Sequence, residues 1–281
     1  MRLTRRGRAL VAVLLVALLG AGATYVLRTT TLGAALGLGG GPACVLTAGG
    51  EDGDEQEWSA DEAMTATTVA GVGTRIGATV NGVAAAVARS LRVERDEPMT
   101  PAEARQVYRD LPDVARPTAG ALRTALALLG DEGSALTCTV DVLGGGDLPR
   151  QDPGELGLTA RADRVRLEMR EVFGKQVLGG FDPDGVSSGH VEGSTHYEGR
   201  AIDVFFRPVS DANQRLGWQQ ALWAVAHAER LAVATVIFDR GIWSASRSPQ
   251  GWRTYRYPGG DTDNPVLLHE DHVHVDVAEG G

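Results

Sequence analysis

Two short stretches carry the residue types that metal-assisted hydrolysis requires. Ser194-Thr195-His196-Tyr197-Glu198-Gly199-Arg200-Ala201-Ile202-Asp203 is answered about seventy residues later by Asp271-His272-Val273-His274. All six histidines fall at or after His190. A His, an Asp and a second His held together give a catalytic zinc three protein ligands and leave the fourth position open. Spacing adds detail. Residues 201–206 read as a strand entered through a turn at Gly199, which places Ala201, Asp203 and Phe205 on one face and aims Asp203 back toward His196. Residues 272–277 read as the final strand, with His272, His274 and Asp276 on one face and Val273, Val275 and Val277 on the other. Polar groups at that density are buried only with partners. The competing reading is an exposed sheet face with incidental histidines.

The pattern Ser194-x-His196-x-x-Gly199-x-Ala201-x-Asp203, followed by Asp271-x-x-His274, resembles the zinc D-alanyl-D-alanine carboxypeptidase/dipeptidase family. That family is related in fold to lysostaphin-type endopeptidases and the hedgehog N-terminal domain. The resemblance covers about residues 159–278 and includes all five fixed positions of the first motif. It implies that His196, Asp203 and His274 bind Zn2+, with Ser194, Gly199 and Ala201 as supporting motif positions. It implies that Asp271, three residues before the last ligand, is the general base, and that the fold is a small antiparallel sheet flanked by helices. The substrate class implied is a cell-wall (peptidoglycan) peptide. The family's upstream carbonyl-polarising arginine is matched by no position here. More loosely, the whole chain is similar to exported bacterial proteins that join a cysteine-bracketed helical module to such a domain.

The chemistry is coherent by itself. Two neutral imidazoles and one carboxylate leave zinc a net positive charge, which lowers the pKa of a bound water to about 7. Asp271 would accept the proton and pass it to the leaving amine. Strand parity puts Asp271 out of phase with His272 and His274, a conflict removed if the strand begins at His272. His272 has two readings: a catalytic one, steadying the oxyanion or orienting Asp271, and a plain one as a satisfied neighbour. Ser188 and His190 read as loop residues, His227 as a packed helix residue and His269 as solvated. Trp243, Trp252 and Tyr255 read as packing groups, with a peptide-cleft wall as the other option. Two non-catalytic functions compete: a zinc-stabilised binding module of the cell envelope, and a metal-free envelope scaffold.

The elements that must position these residues give an α+β chain. In the C-terminal domain (159–281), a helix over Thr159–Phe173 stops at Gly174. A Gly-rich loop over 179–193 follows, and Ser210 caps a long helix reaching about Leu231. Strands are expected at 233–238 and 241–244. Residues 143–158, with Gly144-Gly145-Gly146, Pro149 and Pro153, read as a linker. Residues 44–142 form a mostly helical module bracketed by Cys44 and Cys138. Its Ser59/Glu62 capping box opens a helix to about Gly73, further helices are expected over 80–91, from Thr100 and over 118–129, and 134–142 is β-like. The acidic run 51–62 reads as a solvated face.

Residues 9–27 are nearly all apolar and follow a basic end, 1–8, that holds Arg2, Arg5, Arg6 and Arg8. This reads as a single-pass membrane anchor with the C-terminal bulk outside the cytoplasm. A cleaved signal with Ala21-Gly22-Ala23 as its site is the alternative. Residues 28–43 read as a stalk. Export makes a Cys44–Cys138 disulfide the expected state of the two cysteines. Cys44 lacks the context of a lipid-attachment site. The net charge of -9 argues against nucleic acid as a partner.

Overall fold

The computed structural model describes residues 44–47, 55–75, 135–140 and 148–281. The apolar run 9–27, the stalk and the helices expected over 80–91, from Thr100 and over 118–129 lie outside the described residues. Among the described residues no helix is long and apolar enough to cross a membrane.

The site rests on a six-stranded sheet. Its strands are β4 (Leu178–Gly179), β5 (Ala201–Phe205), β6 (Val233–Phe238), β7 (Gly241–Ser244), β8 (Arg253–Thr254) and β9 (His272–Val277). The order is β4-β5-β9-β6-β7-β8, and every pairing is antiparallel. The last strand in the sequence is therefore central. β9 begins at His272, so Asp271 belongs to the preceding loop and the parity conflict does not arise. All six residues of β9 are buried. Its valines share a face with Ile202, Val204 and Val236, all at most 1% exposed.

Helices cover that apolar face. Thr159 caps α2 (Ala160–Phe173) by accepting from the Ala162 N–H, and Gly174 ends it at φ 81. Ser210 caps α3 (Asp211–Ala226) by accepting from the Asn213 N–H. The helix expected to reach Leu231 breaks at His227 (φ −97, ψ 7) and resumes as the short α4 (Ala228–Leu231). The His227 ring stacks on Trp223, centroids 4.2 Å apart, and its Nδ1–H donates to the Trp223 carbonyl at 2.8 Å. His227 is thus a packed residue, as its setting in the sequence suggests.

The cysteine-bracketed segments supply a second sheet of β1 (Cys44–Thr47), β2 (Glu55–Trp58) and β3 (Ala135–Cys138) in the order β2-β1-β3. Part of the acidic run is therefore a strand, with Glu55 and Glu57 exposed and Trp58 buried. The disulfide Cys44–Cys138 joins β1 to β3 across 94 residues. The capping box forms: Ser59 N–H donates to Glu62 Oε2 (3.1 Å), and Glu62 N–H to Ser59 Oγ (3.3 Å). It opens α1 (Ala60–Arg75), which packs on α3 and is tied to it by Thr74 Oγ1–H donating to Gln219 Oε1 at 2.7 Å. The described residues, from Cys44 to Gly281, form one compact unit. Residues 148–158, part of the stretch expected to be a linker, are bonded into the C-terminal domain. Gly281 N–H donates to Leu148 O at 2.8 Å, and two Arg161 nitrogens donate to Pro149 O and Ala278 O.

Candidate metal centre

The polar face of β5 and β9 opens into a cleft of about 590 Å³. Register does most of the positioning. Asp203 pairs with His274, Phe205 with His272 and Ala201 with Asp276, so all six share one face. His196 arrives from outside the sheet. Ser194 accepts from the His196 N–H at 3.4 Å and caps a single 3-10 turn, Thr195–Glu198, which Gly199 closes at φ 64. A side chain at Gly199 would run into the Gly157 carbonyl. The supporting motif positions are therefore the cap, the turn and, in the fully buried Ala201, the small residue beside Asp276.

These devices bring three of the expected ligands to one point. His196 Nε2 lies 3.0 Å from His274 Nδ1 and 3.3 Å from Asp203 Oδ1, and His274 Nδ1 lies 3.2 Å from the same oxygen. A tetrahedron with arms of about 2.0–2.1 Å has edges of about 3.3–3.4 Å, so the triangle matches one face of such a sphere. The outer bonds fix the tautomers. His196 Nδ1–H donates to the Gly180 carbonyl at 2.7 Å, leaving Nε2 as a lone pair toward the cluster. His274 turns its other nitrogen, Nε2, toward Asp276 Oδ2 at 3.5 Å. The residues therefore fit a metal ion: three electron-pair donors face one point, and each imidazole is oriented from behind.

Electrostatics agree. Burial opposes the charge of Asp203, yet its bonds to His196 and His274 hold the carboxyl far below the usual range. Burial also disfavours charge on His274, but Asp203 and Asp276 outweigh it and raise its pKa to about 9. Without metal, a proton on His274 Nδ1 takes the place a cation would fill.

His190, read from sequence as a loop residue, belongs to this centre. The ligand atoms of His190, His196 and Asp203 lie within 4.8 Å of one another, which by distance alone makes them a second candidate set for a metal ion. The His190 and His196 rings are stacked, with centroids 4.0 Å apart and planes inclined by 24°. An imidazole lone pair lies in its ring plane, so one ion cannot meet the lone pairs of two stacked rings. His274 therefore completes the tighter set, and His190 covers the face of His196. Tyr197 holds it there by donating its hydroxyl to the His190 carbonyl at 2.6 Å.

Asp271 and His272 are hydrogen-bonded to each other. Asp271 is 4% exposed, and both its oxygens are engaged: Oδ1 accepts from His272 Nδ1–H at 2.7 Å, and Oδ2 from Arg207 Nε–H at 2.6 Å. Burial raises its pKa, and these two bonds outweigh that and lower it. The cleft is lined by His272 and not by Asp271. His272 Nε2 faces Asp203 Oδ1 at 3.9 Å. The carboxylate expected to act on substrate thus stands behind the imidazole expected to orient it.

His269 is not solvated. It lines the cleft, its ring lies 4.6 Å from that of His272, and its backbone is left-handed at φ 56. Its Nδ1 is buried and has no hydrogen-bond partner among the described residues. Burial pushes its pKa down to about 2, so the ring is neutral at neutral pH. Tyr255 and Tyr257 form part of the wall, whereas Trp243 is fully buried and Trp252 packs edge-on against Trp218. Sequence reasoning missed Gly180, His190 and Arg207. The Gly179-Gly180 pair was the available signal for the first. The other two follow no spacing rule.

Residues 154–266 match the family model described as VldE, C-terminal domain. The matched stretch includes His196 and Asp203 and ends before Asp271. No curated protein and no solved structure matches the chain.

Proposed function

We propose that this chain is a zinc-dependent peptidase-like hydrolase acting on cell-wall peptides outside the cytoplasm. The observation that carries the reading is the triangle of His196 Nε2, Asp203 Oδ1 and His274 Nδ1, with sides of 3.0–3.3 Å, on the floor of a cleft flanked by a carboxylate–imidazole pair. The resemblance to the zinc D-alanyl-D-alanine carboxypeptidase/dipeptidase family supports the same ligand set. The apolar run 9–27 supports an extracytoplasmic substrate.

Zinc bound there supplies a Lewis acid that brings the pKa of water to about 7. The protein's part follows from its own geometry. His196 and His274 present fixed lone pairs because Gly180 and Asp276 hold their other nitrogens. His272 Nε2, facing the cleft, takes a proton from the attacking water and returns it to the leaving amine as the peptide C–N bond breaks. Asp271 keeps the His272 Nδ1–H donated to it and steadies the imidazolium while it lasts, so the acid acts through the ring.

Two measurements on the full chain test this. Purified wild type is expected to hold one zinc, and His274→Ala none; wild type without zinc ends the reading. Release of D-alanine or a dipeptide from D-Ala-D-Ala-terminated peptides is expected to stop with a chelator. It is expected to fall about 10²- to 10⁴-fold in His272→Ala. Bound zinc without turnover of any such peptide points instead to the zinc-stabilised binding module.

A further inference from the structure

A second cavity, of about 270 Å³, lies where α1, α2 and α3 meet the end of β5. Gly71 of α1 sits so close to Phe173 that a side chain there would overlap its ring. Val204, Phe206 and Leu216 add apolar surface, and against it stand Gln176, Gln219 and Gln220. Gln219 and Gln220 are 8% and 5% exposed. Polar groups buried to that degree normally have partners. Gln219 has one: its Oε1 accepts from Thr74 Oγ1–H at 2.7 Å. The other two amides are only half satisfied. Gln176 Nε2–H donates to Gln220 Oε1. Gln176 Oε1 is buried and, among the described residues, meets no donor. Gln220 Nε2 meets no acceptor among them.

Chemistry fixes the pattern left over. Exchanging O and N on one amide alone would set two like atoms against each other, so both exchange or neither does. Either way the pair retains one free N–H donor and one free carbonyl acceptor. A carboxylate would set its lone pairs against the free carbonyl, and an ammonium its hydrogens against the free N–H. A peptide or carboxamide group carries the complementary donor and acceptor together. Lys175, the one charged residue among the described residues lining the cavity, is exposed, so the interior is neutral. Sites for drug-sized molecules hold about 300–1,000 Å³. This smaller space suits a single amide on a short apolar chain.

We propose that the cavity is a second binding site, for one neutral amide group bearing an apolar side chain. It stands apart from the hydrolase reading, because none of His196, Asp203 and His274 lines it. Phe205 lines both the cavity and the cleft, so the two sites share a wall. The amide belongs either to a peptide seated in the cleft or to a separate molecule, and one arm of the test separates these sources.

The probes are N-methyl isocaproamide, which is one peptide group on a leucine-like chain, methyl isocaproate, which lacks the N–H, and isocaproate, which is charged. Ligand-observed NMR titrations on the full chain are expected to rank the amide above both others by about 5- to 100-fold in Kd. Gln176→Met/Gln220→Met removes both bonded partners together and keeps unbranched chains in their place, so the fold is expected to hold. That variant should bind amide and ester alike. Tm verifies folding, and Gln176→Met alone replaces the double variant if it unfolds. Equal affinity for amide and ester in wild type overturns the proposal. So does the same preference in wild type and variant, and so does no binding of the amide. A D-Ala-D-Ala-terminated peptide that displaces the amide probe assigns the site to the substrate, and one that binds beside it assigns a separate molecule. A chain without zinc fails the hydrolase reading and leaves the amide-to-ester ranking to decide this one.

Discussion

At the scale of single residues, Gly180 controls how closely His196 and Asp203 approach. Its φ of 79 disfavours any side chain, and a Cβ there would overlap the His196 ring and come within 3.0 Å of Asp203 Oδ2. Gly180→Ala is expected to lower metal affinity about 10- to 100-fold, as losses behind metal ligands do, with little change in the far-UV spectrum. A metal titration with a competing chelator measures it, and unchanged affinity would show that the cradle is not needed. The Gly179-Gly180 pair marked a turn in the sequence, but not its role, because that role lies in a contact with a residue sixteen positions away. The approach of His196, Asp203 and His274 was legible because the motifs that carry the resemblance name them, and strand periodicity with a short turn is consistent with their meeting. The order of Asp271 and His272 was not, since which of two adjacent polar side chains faces a cleft depends on Arg207 arriving from another element.

At the scale of elements, capping signals translated into structure with little loss. Ser59/Glu62 and Ser210 each begin a helix at the expected residue, because a side-chain acceptor for free N–H groups is a local matter. The break at His227 was missed because its cause is tertiary. Trp223 Nε1–H donates to Thr68 Oγ1 at 3.3 Å, and Thr68 Oγ1 lies 3.5 Å from His227 Nε2. That chain suits a neutral His227, and burial lowers its pKa from 6.5 to about 4. The sign follows: between those values the unfolded chain binds the extra proton, so stability is full above pH 6.5 and declines as pH falls toward 4. The loss is on the order of 3 kcal/mol at most. His227→Gln is expected to show a smaller drop in Tm between pH 7 and 4.5 than wild type, by thermal unfolding. Equal drops would remove His227 as the source. The small sheet β2-β1-β3 was half legible: the β-like pattern around Cys138 stood out, whereas Glu55–Trp58 looked like part of a charge run because it lies inside the acidic stretch 51–62.

At the scale of the whole molecule, the cysteine-bracketed segments brace the cleft from behind. Trp252 Nε1–H donates to Leu136 O at 3.0 Å, and Val140 N–H to Ser248 Oγ at 2.9 Å, so β3 holds the segment that leads into Tyr255 and Tyr257. The disulfide closes 94 residues, for which loop-closure entropy sets an upper bound of about 4–5 kcal/mol. A Cys44→Ser/Cys138→Ser chain is expected to melt about 10 °C lower and to raise KM for peptides while its zinc content holds. A raised KM with zinc lost as well would place the brace at the metal centre itself. The disulfide and its place in the chain were legible from the count of two cysteines and the export expected from the apolar run 9–27. What it supports was not, because that contact joins segments more than a hundred residues apart. The central place of β9 has a temporal meaning as well. Every stretch of chain from Asp203 to His274 must exist before those two residues can pair, and until then β5 and β6 have no strand between them. A nascent chain emerging from its N-terminus therefore carries no assembled centre before His274 is made. The last strand acts as a keystone, and the site comes into being in the same step that completes the sheet.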